Sequence, residues 1–137
     1  MLDHTADVGF EVEAPTLEDL FDGARRAMLA TMFERPPEKG VKEHTVRLQA
    51  PDLEILLVRW LNELAFLVQE SGFVPTRADI KIKETVDKTF SLEARLGGVS
   101  LDLEHHGWLG EVKSATFHEL DVARGNGGWR ARMILDV

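Results

Sequence analysis

The sequence predicts an α+β domain, a two-layer sandwich in which two helices cover one face of a mixed or antiparallel sheet. The order of the apolar patterns is strand, helix, strand, helix and then a run of strands. Short glycine-containing segments separate the later strands, which favours antiparallel neighbours. A chain of 137 residues with 44% hydrophobic positions suits one core, so residues 1–137 are predicted to form a single domain.

The first half of the chain contains two predicted strands with a helix between them. Residues 8–13 alternate apolar and polar side chains, which is typical of a half-buried strand. Thr16 is a predicted helix N-cap, and Asp19 in the first turn suits the helix dipole. Apolar side chains at helical spacing then continue to about Phe33, and residues 41–50 alternate again as a strand.

The second half begins with another helix and ends in strands. Pro51-Asp52 opens this helix, a wide apolar stripe predicts that it is buried against the sheet, and Ser71-Gly72 ends it. Gly97-Gly98 is interpreted as a hairpin turn, and residues 125–128 as the turn before a last strand at 129–137. The strands predicted between this helix and the last strand span residues 78–84, 89–96, 99–103 and 111–124.

Composition and charge exclude several classes of protein. The formal net charge of −8 is the wrong sign for stable, direct nucleic-acid binding or for binding an anionic membrane surface. The chain has no cysteine, which excludes disulfides, thiolate zinc sites and cysteine nucleophiles and suits a reducing compartment. The start of the chain is acidic and lacks an apolar run, so no signal peptide is predicted and the expected location is the cytoplasm. An acidic surface suits a cation or a basic protein partner.

Two oxygen-rich segments are candidate metal sites. Asp3, His4 and Asp7 precede the first strand, and carboxylates favour a hard cation such as Ca²⁺ or Mg²⁺. The alternative is that Asp3 is a solvated terminal residue and that His4 packs or caps locally. Alternation along the last strand places Asp136 away from the core, beside the carboxyl group of Val137. The alternative there is a simple strand end.

A third segment, residues 111–120, carries a serine, a histidine and two acids. Its imperfect alternation predicts a bulge or twist near His118. Ser114 and His118 would lie roughly 13 Å apart on one strand, which excludes a nucleophilic pair. His105-His106 is predicted in an exposed loop, since a histidine pair without cysteine is a poor zinc signature. The sequence also lacks the usual phosphate-loop, dinucleotide-binding, serine-hydrolase and zinc-protease motifs, so no self-sufficient catalytic group is predicted.

Four segments, spread over the whole chain, together resemble the archease family. The family's opening motif resembles residues 3–9, Asp-His-Thr-Ala-Asp-Val-Gly, and its W-L-x-E-L segment resembles residues 60–64. Residues 111–118, Glu-Val-Lys-Ser-Ala-Thr-Phe-His, resemble its E-[IV]-K-A-x-T-[YF]-H strand, and residues 134–137 end in the family's L-D-[IV]. The departures are Ser where Ala is usual and Phe where Tyr is common.

This resemblance implies a protein cofactor that is not itself an enzyme. Archeases assist the RtcB-type RNA ligase of tRNA splicing and RNA repair, promoting its GTP-dependent guanylylation and repeated turnover. The family's calcium-type site, carried over by position, implies Asp7, Asp136 and Val137 as ligands, with Mg²⁺ and Mn²⁺ as alternative metals. Asp3 and His4 are expected to support the metal site without binding the ion directly, with His4 orienting one of the carboxylates.

Lys113 is the next residue expected to act, by contacting the ligase or a nucleotide phosphate. Its alternative is a cross-strand ion pair on the surface. His118 is expected to be structural.

Three classes of function remain open at this point. The resemblance favours the ligase activator, and it also implies an RNA methyltransferase as a second partner, with the chain as its modulator or chaperone. A small metal-dependent hydrolase using Asp3, His4, Asp7 and Asp136 would show turnover with no partner present. A general chaperone with a merely structural metal would bind its partner independently of that metal.

Overall fold

The computed structural model describes residues 7–137, except for the side chains of Phe117 and His118. Within this part of the chain the predicted α+β class is confirmed. The elements are β1 (Asp7–Ala14), α1 (Leu17–Met32), β2 (Lys42–Ala50), α2 (Leu53–Gln69), β3 (Phe73–Glu84), β4 (Phe90–Ser100), α3 (Leu103–His106), β5 (Ser114–Gly125) and β6 (Gly128–Asp136). Among the described residues, no helix combines the length and the apolar composition that crossing a membrane requires.

The strands form two three-stranded antiparallel sheets, in the orders β1-β6-β5 and β2-β4-β3. Helix α1 contacts β1, β6 and β3, and α2 contacts strands of both sheets and α1. Each long helix therefore packs against strands of both sheets, and the hydrophobic core lies between the helices and the sheets. The largest fully buried side chains include Trp60, Phe21, Phe33, Leu20, Met28, Leu56, Leu64 and Leu92.

Both long helices begin where the sequence predicts, because an oxygen side chain caps each of them. The Thr16 hydroxyl accepts a hydrogen bond from the amide of Asp19 at 3.1 Å, and the Asp52 carboxylate accepts one from Ile55 at 2.8 Å. The helices are also joined to each other, since the indole nitrogen of buried Trp60 donates to the carbonyl of Phe21 at 2.9 Å. This bond fixes α2 against α1 and thereby sets the position of the strands that α2 holds.

The predicted turn at Gly97-Gly98 is wrong, because both glycines lie inside β4. They are needed there because β3 has an irregular register between Pro75 and Arg77 and approaches β4 closely. A Cβ on Gly98 would collide with the carbonyl oxygen of Val74. Accordingly, β3 starts at residue 73 and not 78, β4 continues to residue 100, and the actual hairpin turn lies at residues 85–89, where Thr85 and Thr89 are hydrogen-bonded.

Substitution of Gly98 by alanine is expected to lower the free energy of unfolding by about 1–3 kcal/mol, because the new methyl group meets main-chain atoms that cannot rotate away. The measurement is chemical denaturation. Gly125→Ala is the matched control, since Gly125 has open space around its Cα and an ordinary φ, and its effect should stay within about 0.5 kcal/mol. Equal stability of the two variants would contradict this account of β4.

Polar side chains of both helices bind the outer edges of the sheets. On β3, the carbonyl of Pro75 accepts from buried Arg25 at 2.9 Å, and the amide of Ile82 donates to Glu18 at 3.3 Å. On β5, the amide of Val122 donates to Glu54 of α2 at 3.3 Å. Each long helix therefore satisfies main-chain groups that an edge strand would otherwise leave open.

Candidate metal site at the start of β1 and the end of β6

Three polar side chains form a row across one end of the β1-β6-β5 sheet. Asp7 lies directly opposite Asp136, and Ser114 lies opposite Asp136 on its other side. The next residues along the strands, including buried Leu135 and Ala115, face the core. Because side chains alternate along a strand, the polar row (Asp7, Asp136 and Ser114) lies on the face turned away from the helices.

The polar row has an electrostatic conflict that a cation would relieve. Like charges directly opposite each other on neighbouring strands are destabilising, and Asp7 and Asp136 occupy such a pair of positions. The Oδ1 atom of Asp136 is also buried and has no hydrogen-bond partner among the described residues. A buried acceptor without a partner costs about 1–3 kcal/mol. A bound cation would offset this cost and also the unfavourable pairing of the two carboxylates. The donor set, oxygen only, suits Ca²⁺ or Mg²⁺.

Two carboxylates are fewer than calcium needs, since it takes six to eight oxygens. In residues 7–137, no group of three or more His, Asp or Glu side chains is close enough to hold a metal. Val137, the third ligand implied by the resemblance, follows Asp136 and is half-buried. Asp3 and His4 lie outside the described residues.

The start of β5 is held against the polar row by two amide side chains of α2. The Gln69 side chain accepts from the amide of Val112 at 2.7 Å and donates to its carbonyl at 3.0 Å. Asn62 accepts from the amide of Ala115 at 2.7 Å. Between these two attachments, the amide of Lys113 donates to the carbonyl of Asp136 at 2.7 Å.

Sequence reasoning missed this role of Asn62 and Gln69. The available signal was two amide side chains, seven residues apart, in a helix whose other positions are mostly apolar. At that spacing two residues lie on the same helix face after about two turns. Gln69 is half-buried and Asn62 is exposed, and each side chain pairs with main-chain groups of the segment at residues 112–115.

Lys113 is fixed in position by its main chain while its side chain is exposed. Over the described residues, its ammonium group has no carboxylate within ion-pair distance, so the cross-strand ion pair that was its alternative role is not seen there. A lysine of this kind, next to a pair of carboxylates, is available to an anionic group of a partner.

The predicted bulge near His118 is confirmed. Thr116 pairs with Ile134 and Asp121 pairs with Arg132, so four residues of β5 lie opposite one residue of β6. Glu119 within this bulge has a φ of 53°, a left-handed conformation that non-glycine residues rarely adopt. The role expected for His118 rests on a side chain outside the described ones and stays a prediction.

The histidine pair at 105–106 is not an exposed loop as predicted, because both residues belong to α3 and His106 is buried. The Asp102 side chain caps this short helix by accepting from the amide of His105 at 3.0 Å. The Nδ1 atom of His106 in turn accepts from the amide of Asp102 at 3.2 Å, and its ring packs on the edge of Phe33. These contacts give His106 a structural role, which is to pack α3 against Phe33.

Unfolding should become easier below about pH 6.5, because an unfolded histidine gains a proton there that folded His106 resists. Burial lowers the pKa of His106 below its usual value, an effect that Asp102 partly opposes and that His105 and Arg35 reinforce. The unfolded state then binds more protons, so the free energy of unfolding falls as the pH drops through this range. His106→Gln should flatten the dependence of the urea midpoint on pH between 5 and 7, and His44→Gln, at an exposed histidine of β2, should leave it intact.

Comparison with known proteins assigns a family likeness to the entire chain. A profile of the Archease protein family matches residues 1–137. The protein named Protein archease in Methanosarcina mazei is 32% identical over 136 residues, which cover 99% of this chain and 93% of that protein. The one in Methanosarcina barkeri is 34% identical over 138 residues, with coverages of 99% and 93%.

Solved structures agree with this likeness. The solution structure of Methanobacterium thermoautotrophicum protein 1598 matches with a TM-score of 0.79 at 31% identity, covering 99% of this chain and 96% of that one. A crystal structure from Thermotoga maritima, described as an archease and possible chaperone, matches with a TM-score of 0.64 at 19% identity, over 100% and 95% of the two chains. At that identity the second likeness concerns the fold alone.

Proposed function

The chain belongs to the archease family, and from this premise we propose that it activates an RtcB-type RNA-splicing ligase by means of a metal held at the polar row. The activity is the one that the resemblance implies: promotion of GTP-dependent guanylylation and of repeated turnover in tRNA splicing and RNA repair. In this proposal the chain is a protein cofactor, and the ligase performs the catalysis.

The observation that carries the proposal is the pairing of Asp7 with Asp136, whose buried Oδ1 lacks a partner among the described residues. These residues come from opposite ends of the sequence and are the two carboxylates that the resemblance implies as ligands. Asp7, Asp136 and Val137 would hold the ion, which is Ca²⁺ in this proposal. When bound, such an ion neutralises nearby negative charge, including that of phosphate.

The chain's own groups also support docking on a basic, RNA-binding partner. The net charge of −8 favours association with a positively charged surface without competition for RNA. Lys113 lies beside the polar row, held through its main chain, and its exposed ammonium group would contact an anionic group of the ligase or its nucleotide. Gln69 and Asn62 keep this segment in place.

The test is RNA ligation by the cognate ligase with substrate in large excess. We expect trace amounts of this protein to convert a stalled reaction into repeated turnover, and a calcium chelator to remove the stimulation. Guanylylated ligase, measured with labelled GTP, should accumulate faster with the protein present. Unchanged turnover with the wild-type chain would contradict the proposal and would favour the methyltransferase modulator, which is tested by adding the chain to that enzyme.

The other two classes are separated by equally direct observations. A metal-dependent hydrolase would cleave a phosphoester substrate with no ligase present, and the Asp7→Ala variant would lose that activity. A chaperone with a structural metal would bind its partner equally well in chelator. Every binding assay therefore includes a sample with a calcium chelator.

A further inference from the structure

Strand β2 is an outer strand whose free edge is almost uncovered by the described part of the chain. It pairs with β4 on one side, and α2 is the other described element in contact with it. The carbonyl of Gln49 accepts from the Arg59 side chain of α2. Over residues 42–48, no main-chain group of β2 has a side-chain partner among the described residues. Unlike β3 and β5, β2 therefore keeps open groups along its edge.

Hydrogen bonds elsewhere in the sheet determine which residues of β2 direct their main-chain groups to this free edge. On β3, the amide of Ile82 donates to Glu18 of α1 and so points away from β4. Ile82 lies opposite Leu92, which in turn lies opposite Leu48. Because successive residues of an antiparallel strand bond to alternate sides, Leu48 bonds to β4 and the odd-numbered residues of β2 point outward. The carbonyl of Gln49, which reaches Arg59 instead of β4, agrees with this assignment.

The outward-pointing residues Glu43, Thr45 and Arg47 form a self-complementary row. Their side chains lie on the face turned away from the core, because Val46 between them is buried. If two copies of β2 pair antiparallel about Thr45, Glu43 of each copy lies opposite Arg47 of the other. Pairing about Glu43 or about Arg47 would place like charges opposite each other. Pairing about His44 or Val46 would leave both charges without an opposed partner.

The charged groups of this row are available to a second copy. The Nε atom of Arg47 donates to Glu93 of β4 at 3.0 Å, while its terminal nitrogens have no partner among the described residues. Glu43 is exposed and makes no ion pair within residues 7–137. One guanidinium can therefore join Glu93 of its own chain to Glu43 of another. The outer strand β1 of the other sheet does not suit self-pairing, because its charged residues are all acidic.

We propose that β2 binds the β2 strand of a second copy of this chain, antiparallel and centred on Thr45, so that two three-stranded sheets join edge to edge. The pairing forms about six main-chain hydrogen bonds at residues 43, 45 and 47, with a Glu43–Arg47 ion pair on either side of the axis. Because a strand edge buries less area than a standard interface, the dimer is weak and forms at high protein concentration. The polar row belongs to the other sheet and stays open in both copies.

Sedimentation equilibrium of the wild-type chain, with no ligase or calcium present, tests whether the dimer forms. Between about 0.02 and 2 mM protein we expect a reversible monomer–dimer equilibrium, with a dissociation constant of about 0.01–1 mM. A chain that remains monomeric at the highest concentration would overturn the proposal.

Single cysteines locate the contact, since the chain has no cysteine of its own. At the proposed axis the two Cα atoms of position 45 lie about 5.5 Å apart, within the reach of a disulfide. On oxidation, Thr45→Cys should therefore cross-link about tenfold or more faster than Lys81→Cys. Lys81 is the control because it is exposed on β3, the opposite outer strand of the same sheet. Equal rates in the two variants would overturn the proposal.

Charge reversal tests the register. Glu43→Arg and Arg47→Glu each place like charges opposite each other and should weaken the dimer about tenfold or more. When the two variants are mixed, every opposed pair again joins unlike charges, so they should associate with each other about as tightly as the wild type. Lys83→Glu, at an exposed residue of β3, changes the net charge as much as Arg47→Glu and should keep the wild-type affinity. Failure of the mixed variants to associate, or an equal loss in Lys83→Glu, would contradict the proposal.

Thr45→Pro tests the main-chain bonds without changing the charge. Proline is tolerated on an outer strand where the lost amide faces solvent, so the monomer should fold while the dimer is lost. A dimer of wild-type affinity in this variant would refute pairing about residue 45. If the proline variant does not fold, Glu43→Arg, which alters only an exposed side chain, decides the same question. Since these measurements omit the ligase and calcium, their failure would leave the proposed activation untouched, and the reverse also holds.

Discussion

Replacing Asp136 with asparagine is expected to abolish ligase stimulation and to weaken calcium binding by at least about a hundredfold. The reason is that the substitution removes one of the two carboxylates of the polar row, and loss of a direct ligand exceeds the 10–100-fold typical for its supporting contacts. Isothermal titration with Ca²⁺ and multiple-turnover ligation measure the two effects. The variant's fold should persist, since asparagine matches aspartate in shape.

The free energy of unfolding of Asp136→Asn provides a second, independent test. Without calcium, Asp136→Asn should be as stable as the wild type or more stable, because it removes the repulsion between opposed carboxylates. With calcium, only the wild type should gain stability. Asp121→Asn is the control, as this exposed acid lies on the same sheet outside the polar row. Full stimulation by Asp136→Asn would refute the proposed metal role.

Replacing Gln69 with leucine is expected to lower the free energy of unfolding by about 2–4 kcal/mol and to reduce ligase stimulation. Leucine removes both hydrogen bonds to Val112, a residue that is 1% exposed, and leaves its amide and carbonyl without their partners. Lys113 would then lose its fixed position next to Asp136. Denaturation, hydrogen exchange at the Val112 amide and the ligation assay report these effects separately.

The matched control is Gln49→Leu. The Gln49 side chain is exposed on β2, and its side-chain amide group has no hydrogen bond within the described part of the chain. It should change the stability by no more than about 0.5 kcal/mol. A Gln69→Leu protein with slow exchange at Val112 and full stimulation would show that α2 does not position this segment.

Local patterns predicted the elements whose cause is local. The caps at Thr16 and Asp52, the apolar stripes and the turn at 125–128 each depend on residues a few positions apart, and all lie where predicted. The division of the strands into two sheets depends on pairing between distant segments. Gly97-Gly98 was misinterpreted for the same reason. These glycines are required because β3 approaches β4 closely, and a pattern of neighbouring residues carries no information about that approach.

The polar row was partly predictable from the sequence. Alternation placed Asp136 on the solvent side of its strand, and the antiparallel pairing of β1 with β6 brings Asp7 opposite to it. The attachment of residues 112–115 to Gln69 and Asn62 could not be predicted, because it depends on how α2 lies against the edge of β5. Long-range geometry of this kind follows from packing and not from periodicity.

The helix side chains that bind the sheet edges also have a consequence for the protein at high concentration. A β-sheet grows into fibrils when an outer strand offers free amides and carbonyls to a strand from another molecule. Here Glu18 and Arg25 occupy such groups on β3, and Glu54 and Asn62 occupy them on β5. As long as the helices stay docked, these groups of β3 and β5 are not available to a strand from another molecule, so detachment of α1 or α2 should make these two edges prone to aggregation.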